Sequence, residues 1–152
     1  MMKKKGFTLI ELLIVIAVIS ILIGIALPRF RGMQEEGLVA QAKGELRTLQ
    51  TAIESYYIHN SSAYPTDSAT WQSDTDSLTT ATPLIVGTAL IDPFSSAGAQ
   101  YQLVYDTNTA YYAMYSVGPG GTGSVTAVST AGGVTDTPNC IYVSNGERDT
   151  TP

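Results

Sequence analysis

The sequence predicts an α+β fold: a long, bent N-terminal helix, membrane-spanning in its first half, packed on a small antiparallel sheet. Three patterns carry that expectation. From Phe7 to Leu27 the chain is an apolar run whose only polar side chains are Thr8, Glu11 and Ser20. Leu38, Ala42, Leu46, Leu49, Ile53 and Tyr56 or Tyr57 then recur at three- and four-residue spacing, the stripe of an amphipathic helix. Further on, Tyr101–Tyr105 and Ala110–Val117 are two strand-like runs separated by the polar Asp106-Thr107-Asn108-Thr109, the pattern of a β-hairpin.

The first run is long enough to cross a bilayer. Its 21 residues make roughly 31 Å of helix at about 1.5 Å each. Lys3, Lys4 and Lys5 precede it and should stay on the cytoplasmic side, so the chain runs N-in, C-out. A removable secretory signal is the competing reading. Such signals have a shorter apolar region and then a small-residue cleavage site. Here Pro28, Arg29, Phe30 and Arg31 follow, and a further helical pattern continues.

Glu11 is out of place in this run. A carboxylate at that depth costs about 2.5–3.5 kcal/mol on insertion scales. On one reading it sits shallow and reaches the interface. On the other it takes a cationic partner once the helix packs in a bundle. A cut after Gly6 would expose an α-amine at Phe7, four residues before Glu11.

The segment Lys5-Gly6-Phe7-Thr8-Leu9-Ile10-Glu11-Leu12-Leu13-Ile14-Val15 resembles the N-terminal signature of type IV prepilins and type II secretion pseudopilins. The resemblance spans residues 3–31. It implies that a prepilin peptidase cuts after Gly6 and that Phe7 becomes the N-methylated first residue. It implies that Glu11 pairs with the methylated amine of an adjacent subunit. Pro28 falls where that family carries a helix-kinking proline. Proline removes a backbone hydrogen bond and bends a helix. With Gly24 one turn earlier, residues 24–28 are the weakest part of the helix, and local unwinding is expected there in a filament.

The boundaries follow: leader 1–6, membrane and filament-core helix 7–28, amphipathic helix 29–60, and a small sheet domain 61–152. Gly32, Gly37 and Gly44 each lower helix propensity by about 1 kcal/mol relative to Ala. A coiled coil is the rival for the second helix, but the apolar repeat does not persist for enough heptads. His59-Asn60 closes the helix.

In the last part, residues 66–83 read as a surface loop with Trp71 isolated in it. Leu84 to Ile91 reads as a short strand or a helical turn. Tyr101–Tyr105 and Ala110–Val117 form the hairpin, with Tyr101, Leu103 and Tyr105 on one face of the first strand. Tyr111, Ala113, Tyr115 and Val117 share a face of the second. Ser124–Ser129 and Cys140–Ser144 are the third and fourth strands. Gly118–Gly123 reads as a flexible turn, and Asn145–Pro152 as a frayed tail.

Asp92-Pro93-Phe94, Tyr101, Tyr111 and Tyr115-Ser116-Val117-Gly118 resemble the sheet region of the major pseudopilin of type II secretion. Calcium in the loop after this strand is what that resemblance raises. The loop Gly118-Pro119-Gly120-Gly121-Thr122-Gly123 has no carboxylate, whereas calcium takes six to eight oxygens, several of them charged. No other cofactor is expected.

Little in the chain supports catalysis. It has one histidine, His59, and one cysteine, Cys140, too few for a zinc site and poor material for a nucleophilic triad. Cys140 has no partner for an intramolecular disulfide. Net charge is −5, and five of the eight basic residues lie within the first 31 positions, so no nucleic-acid surface is expected.

Together these features point to a non-enzymatic, helically assembling filament subunit in bacteria. The expected partners are other copies of itself and the inner membrane, and the resemblance implies in addition a prepilin peptidase and an assembly platform with its ATPase. It would reside in the inner membrane and then in a periplasmic or extracellular filament, as a major pilin or major pseudopilin. A minor tip subunit for DNA uptake or adhesion is the alternative.

Overall fold

The computed structural model describes residues 6–65, 70–73, 77–106, 108 and 110–146. The chain divides into two compact units, residues 1–37 and 38–152. One helix, α1 (Leu9–His59), contributes to both, and its assignment is unbroken through Pro28.

In the first unit α1 has no partner. Every large apolar side chain from Phe7 to Met33 is exposed, Leu9 to 88%. The helix is long and apolar enough to span a membrane by length and composition.

The second unit has a core. Ala42, Leu46, Leu49, Ile53 and Tyr56 of α1 are buried against Trp71, Leu78, Tyr101, Leu103, Tyr112 and Met114. These are members of the stripe that the three- and four-residue spacing predicts; its first member, Leu38, is exposed instead, and Ala52 joins the buried face. They rest on a three-stranded antiparallel sheet in the order β1 (Gln102–Tyr105), β2 (Tyr112–Ser116), β5 (Ile141–Ser144). Register pairs Leu103 with Met114 and Met114 with Val143.

The opposite face of the sheet is covered too. A separate hairpin, β3 (Val125–Val128) with β4 (Val134–Asp136), packs Val125, Val128 and Val134 against Ala113. Central strand β2 is therefore buried on both faces, which alternation alone does not reveal. Tyr101, Leu103 and Tyr105 join the helix-side core and Tyr111, Ala113 and Tyr115 the other, as expected, whereas Val117 belongs to neither cluster.

Several expectations are corrected. The third predicted strand does not join the main sheet but pairs with β4, which its Gly/Thr-rich surroundings concealed. Trp71 is not on a surface loop. It is fully buried, and its indole Nε1–H donates to the Tyr101 carbonyl at 2.6 Å. Buried Gln72 holds the same segment down, donating to the Leu90 carbonyl (3.2 Å) and accepting from the Leu90 amide (2.8 Å). Leu84–Ile91 forms no strand, and only Ile91 bridges, to Gln100.

The glycine loop is tightly fitted rather than loose. Gly118 has φ +62°, and a Cβ there would lie 1.8 Å from the Asn139 carbonyl oxygen. Asn145 is anchored rather than frayed: its side chain accepts from the Tyr112 amide (2.8 Å) and donates to the Ala110 carbonyl (3.1 Å). Residues 147–152 of the predicted tail lie outside the described residues.

Candidate functional site

The start of α1 carries the site the sequence singles out. Gly6 and Phe7 precede the helix and are exposed, Phe7 to 77%. A Cβ on Gly6 would meet nothing within 4 Å, so this fold does not itself require glycine there.

Glu11 is bonded within its own helix. Its Oε2 accepts from the Thr8 amide at 2.8 Å and from the Thr8 hydroxyl at 2.7 Å. The Glu11 amide donates back to Thr8 Oγ1 at 3.3 Å. This reciprocal arrangement is a capping box, with Thr8 as N-cap and Glu11 three residues on. It satisfies helix-end amides that would otherwise lack partners. Ser20, the other polar side chain of the run, donates its hydroxyl to the Ile16 carbonyl at 2.7 Å. All three polar side chains are thus paired inside the helix, as a lipid environment demands. Glu11 thus has a local partner in the single chain; the interfacial and neighbour-pairing expectations concern the membrane and the assembled filament. Thr8 is the residue the sequence reading passed over, although the Thr8-x-x-Glu11 spacing announces it.

Gly24 lies in open space, and Pro28 sits within the helix interior. The unwinding expected around them concerns the assembled state.

Residues 1–27 match the family model described as a prokaryotic N-terminal methylation motif. Known relatives align over the same end. A fimbrial protein, EcpB, of Eikenella corrodens is 48% identical over 59 residues, 39% of this chain and 37% of the relative. A fimbrial protein of Pseudomonas aeruginosa is 44% identical over 71 residues, 44% of this chain and 46% of the relative. The type IV major pilin protein PilA of Myxococcus xanthus is 46% identical over 55 residues, 36% of this chain and 25% of the relative. Over its N-terminal segment this chain is similar to fimbrial proteins and type IV pilins. The matches span less than half the length of these relatives. No solved structure gives a significant match.

The polar chemistry of the other described residues is structural. Tyr101 and Tyr112 reach from the sheet to α1 and donate to Glu45 Oε2 and Glu54 Oε1, both at 2.6 Å. Burial first, and then the carboxylate partner, pushes both phenols well above their ordinary range. Tyr64 packs between Tyr57, tilted against it with centroids 4.5 Å apart, and Tyr112, edge-on at 5.1 Å.

Asp92 is buried and accepts three hydrogen bonds, from the Ser116 hydroxyl (2.7 Å) and the amides of Val117 (2.8 Å) and Phe94 (3.0 Å). It pins the end of β2, which gives the Asp92-Pro93-Phe94 sequence a structural task.

His59 is exposed at the end of α1, and its Nδ1 donates to the Ser55 carbonyl at 2.8 Å. Cys140 is a half-buried free thiol. Burial first, then Asp136 and Asp92, pushes it up to about 12, so it stays protonated and inert at neutral pH. Among the described residues no group of three or more His, Cys, Asp and Glu side chains is placed to hold a metal.

Proposed function

We propose that this chain is a structural subunit of a type IV pilus-like filament. The leader is cut after Gly6 on the cytoplasmic face, and Phe7 is N-methylated. The apolar helix waits in the inner membrane with its N-terminus cytoplasmic. An assembly platform and its ATPase then move it into a filament in the periplasm or outside the cell.

The observation that carries this reading is the start of α1. An entirely uncovered apolar helix begins with a carboxylate whose two local bonds both go to one oxygen, Oε2 of Glu11. A neighbour's Phe7 amine pairs with Glu11 in the filament, while Thr8 holds the carboxylate in place. Neighbouring helices replace lipid around Phe7 to Met33. The helix opens between Gly24 and Pro28, where a missing hydrogen bond and a flexible residue coincide. The names of the aligned relatives, fimbrial protein and major pilin, favour a pilus over a secretion pseudopilus and a structural role over an enzymatic one.

Mass spectrometry of the chain purified from membranes tests the reading. The expected mature chain begins at a methylated Phe7. Replacing Gly6 by valine should leave the leader attached. Normal processing of that variant would contradict the assignment.

A further inference from the structure

The soluble unit is strongly acidic. Beyond Arg31 the sequence has twelve carboxylate side chains against three cations, Lys43, Arg47 and Arg148. Copies of such a unit packed closely repel one another unless opposite charges are brought together.

Most described carboxylates are already engaged. Glu11 bonds Thr8, Glu45 bonds Tyr101, and Glu54 bonds Tyr112. Asp92 and Asp106 accept backbone amides. Among the described residues, Glu35, Glu36 and Asp136 are left exposed with no hydrogen bond or ion pair.

The cations show a matching surplus. Lys43 and Arg47 are exposed, unpaired among the described residues, and one turn apart on α1. Like charges at that spacing repel. Both line a groove of about 530 Å³ between α1 and the segment from the end of β4 through β5, with Val39, Pro119, Asp136 and Tyr142. Glu35 and Glu36 stand seven to twelve positions before these cations on the same helix. That is beyond the three- or four-residue spacing at which side chains of one helix meet. Asp136 already lies in the groove without bonding either cation.

We propose that the Lys43–Arg47 groove receives Glu35 and Glu36 of a second copy of this chain. The inference rests on the filament reading and adds a second electrostatic contact, outside the membrane segment, to the one at Glu11. It pairs the exposed helix carboxylates left over in one copy with the cations left over in another. Because a pair at this site is half-exposed, it sets register and salt sensitivity more than bulk affinity.

Charge reversal and crosslinking test it together. Lys43→Glu with Arg47→Glu should lower the yield of sheared filaments about tenfold at low salt, since like charges then meet. Adding Glu35→Lys and Glu36→Lys should restore it. In a Cys140→Ser chain, Glu36→Cys with Lys43→Cys should give disulfide-linked ladders on oxidation of intact filaments. Glu36→Cys with Thr51→Cys should not. Wild-type yield after reversal, no rescue by the swap, or equal crosslinking in both cysteine pairs would overturn the groove contact. Filaments present in the parent chain but indifferent to these changes sink the groove alone. Absence of filaments from the parent chain sinks the filament reading with it.

Discussion

The two units of this chain solve opposite problems. Residues 38–146 bury Leu46, Leu49, Ile53, Trp71, Tyr101 and Tyr112 completely or nearly so. Among their described residues no buried side-chain polar atom lacks a partner. Residues 7–33 leave every large apolar side chain exposed, yet pair Thr8, Glu11 and Ser20 within the helix. The apolar run from Phe7 to Leu27 satisfies its polar side chains and leaves its apolar ones uncovered. In water that is untenable; in a bilayer or a helical bundle it is what stability requires. The difference shows that the N-terminal helix is built for surroundings that a single soluble chain does not provide.

The comparison can be broken most severely by separating the units. A chain beginning at Met33 should remain folded, soluble and monomeric, with native near-ultraviolet circular dichroism, and should form no filaments. Aggregation or loss of tertiary signal would show that the C-terminal unit depends on the apolar helix.

Within that unit, Trp71→Ala should have the largest effect. It removes a fully buried ring and its bond to Tyr101, and should destabilise the Met33 chain by about 4 kcal/mol in urea unfolding. Gly118→Ala should cost about 3 kcal/mol, combining a left-handed backbone with a Cβ driven into the Asn139 carbonyl. Asp92→Ala strands two amides and a hydroxyl and should cost about 2 kcal/mol.

The smallest effect is the pH response of Tyr101 and Tyr112. Their phenols titrate above the ordinary value of 10.0 when folded. Below pH 10 both states are protonated and the Tyr–Glu bonds contribute fully. Above it the unfolded chain loses protons that the folded chain keeps, so stability falls as pH rises. Tyr101→Phe with Tyr112→Phe should flatten that decline. An unchanged slope would remove these bonds from the account of the helix–sheet contact.

The legibility of the molecule follows the same division. Regular periodicity made α1 and the β1–β2 hairpin readable, because each side chain's face is fixed by a constant step. Trp71 was hidden because its burial depends on one long-range bond in an irregular segment. β4 was hidden because three residues among Gly and Thr carry no alternation worth counting. The second covered face of β2 was hidden because it needs a hairpin from elsewhere in the chain. Gly118 looked loose in composition, yet close backbone approach makes it rigid. At the site, Glu11 stood out because a carboxylate is costly in an apolar run. Thr8 was written in the capping spacing, but the same anomaly directs attention outward to a neighbour before the local partner.

One measurement bears most directly on the N-terminal helix. Glu11→Ala should insert in the membrane, lose its leader and gain its methyl group like the parent chain. Thr8 still caps through its carbonyl and hydroxyl, so the helix persists. The expected result is near-complete loss of sheared filaments beside normal levels of mature, membrane-held chain. Parental filament yield from that variant would contradict the pairing of Phe7 with Glu11 and, with it, the reason for the carboxylate at the start of α1.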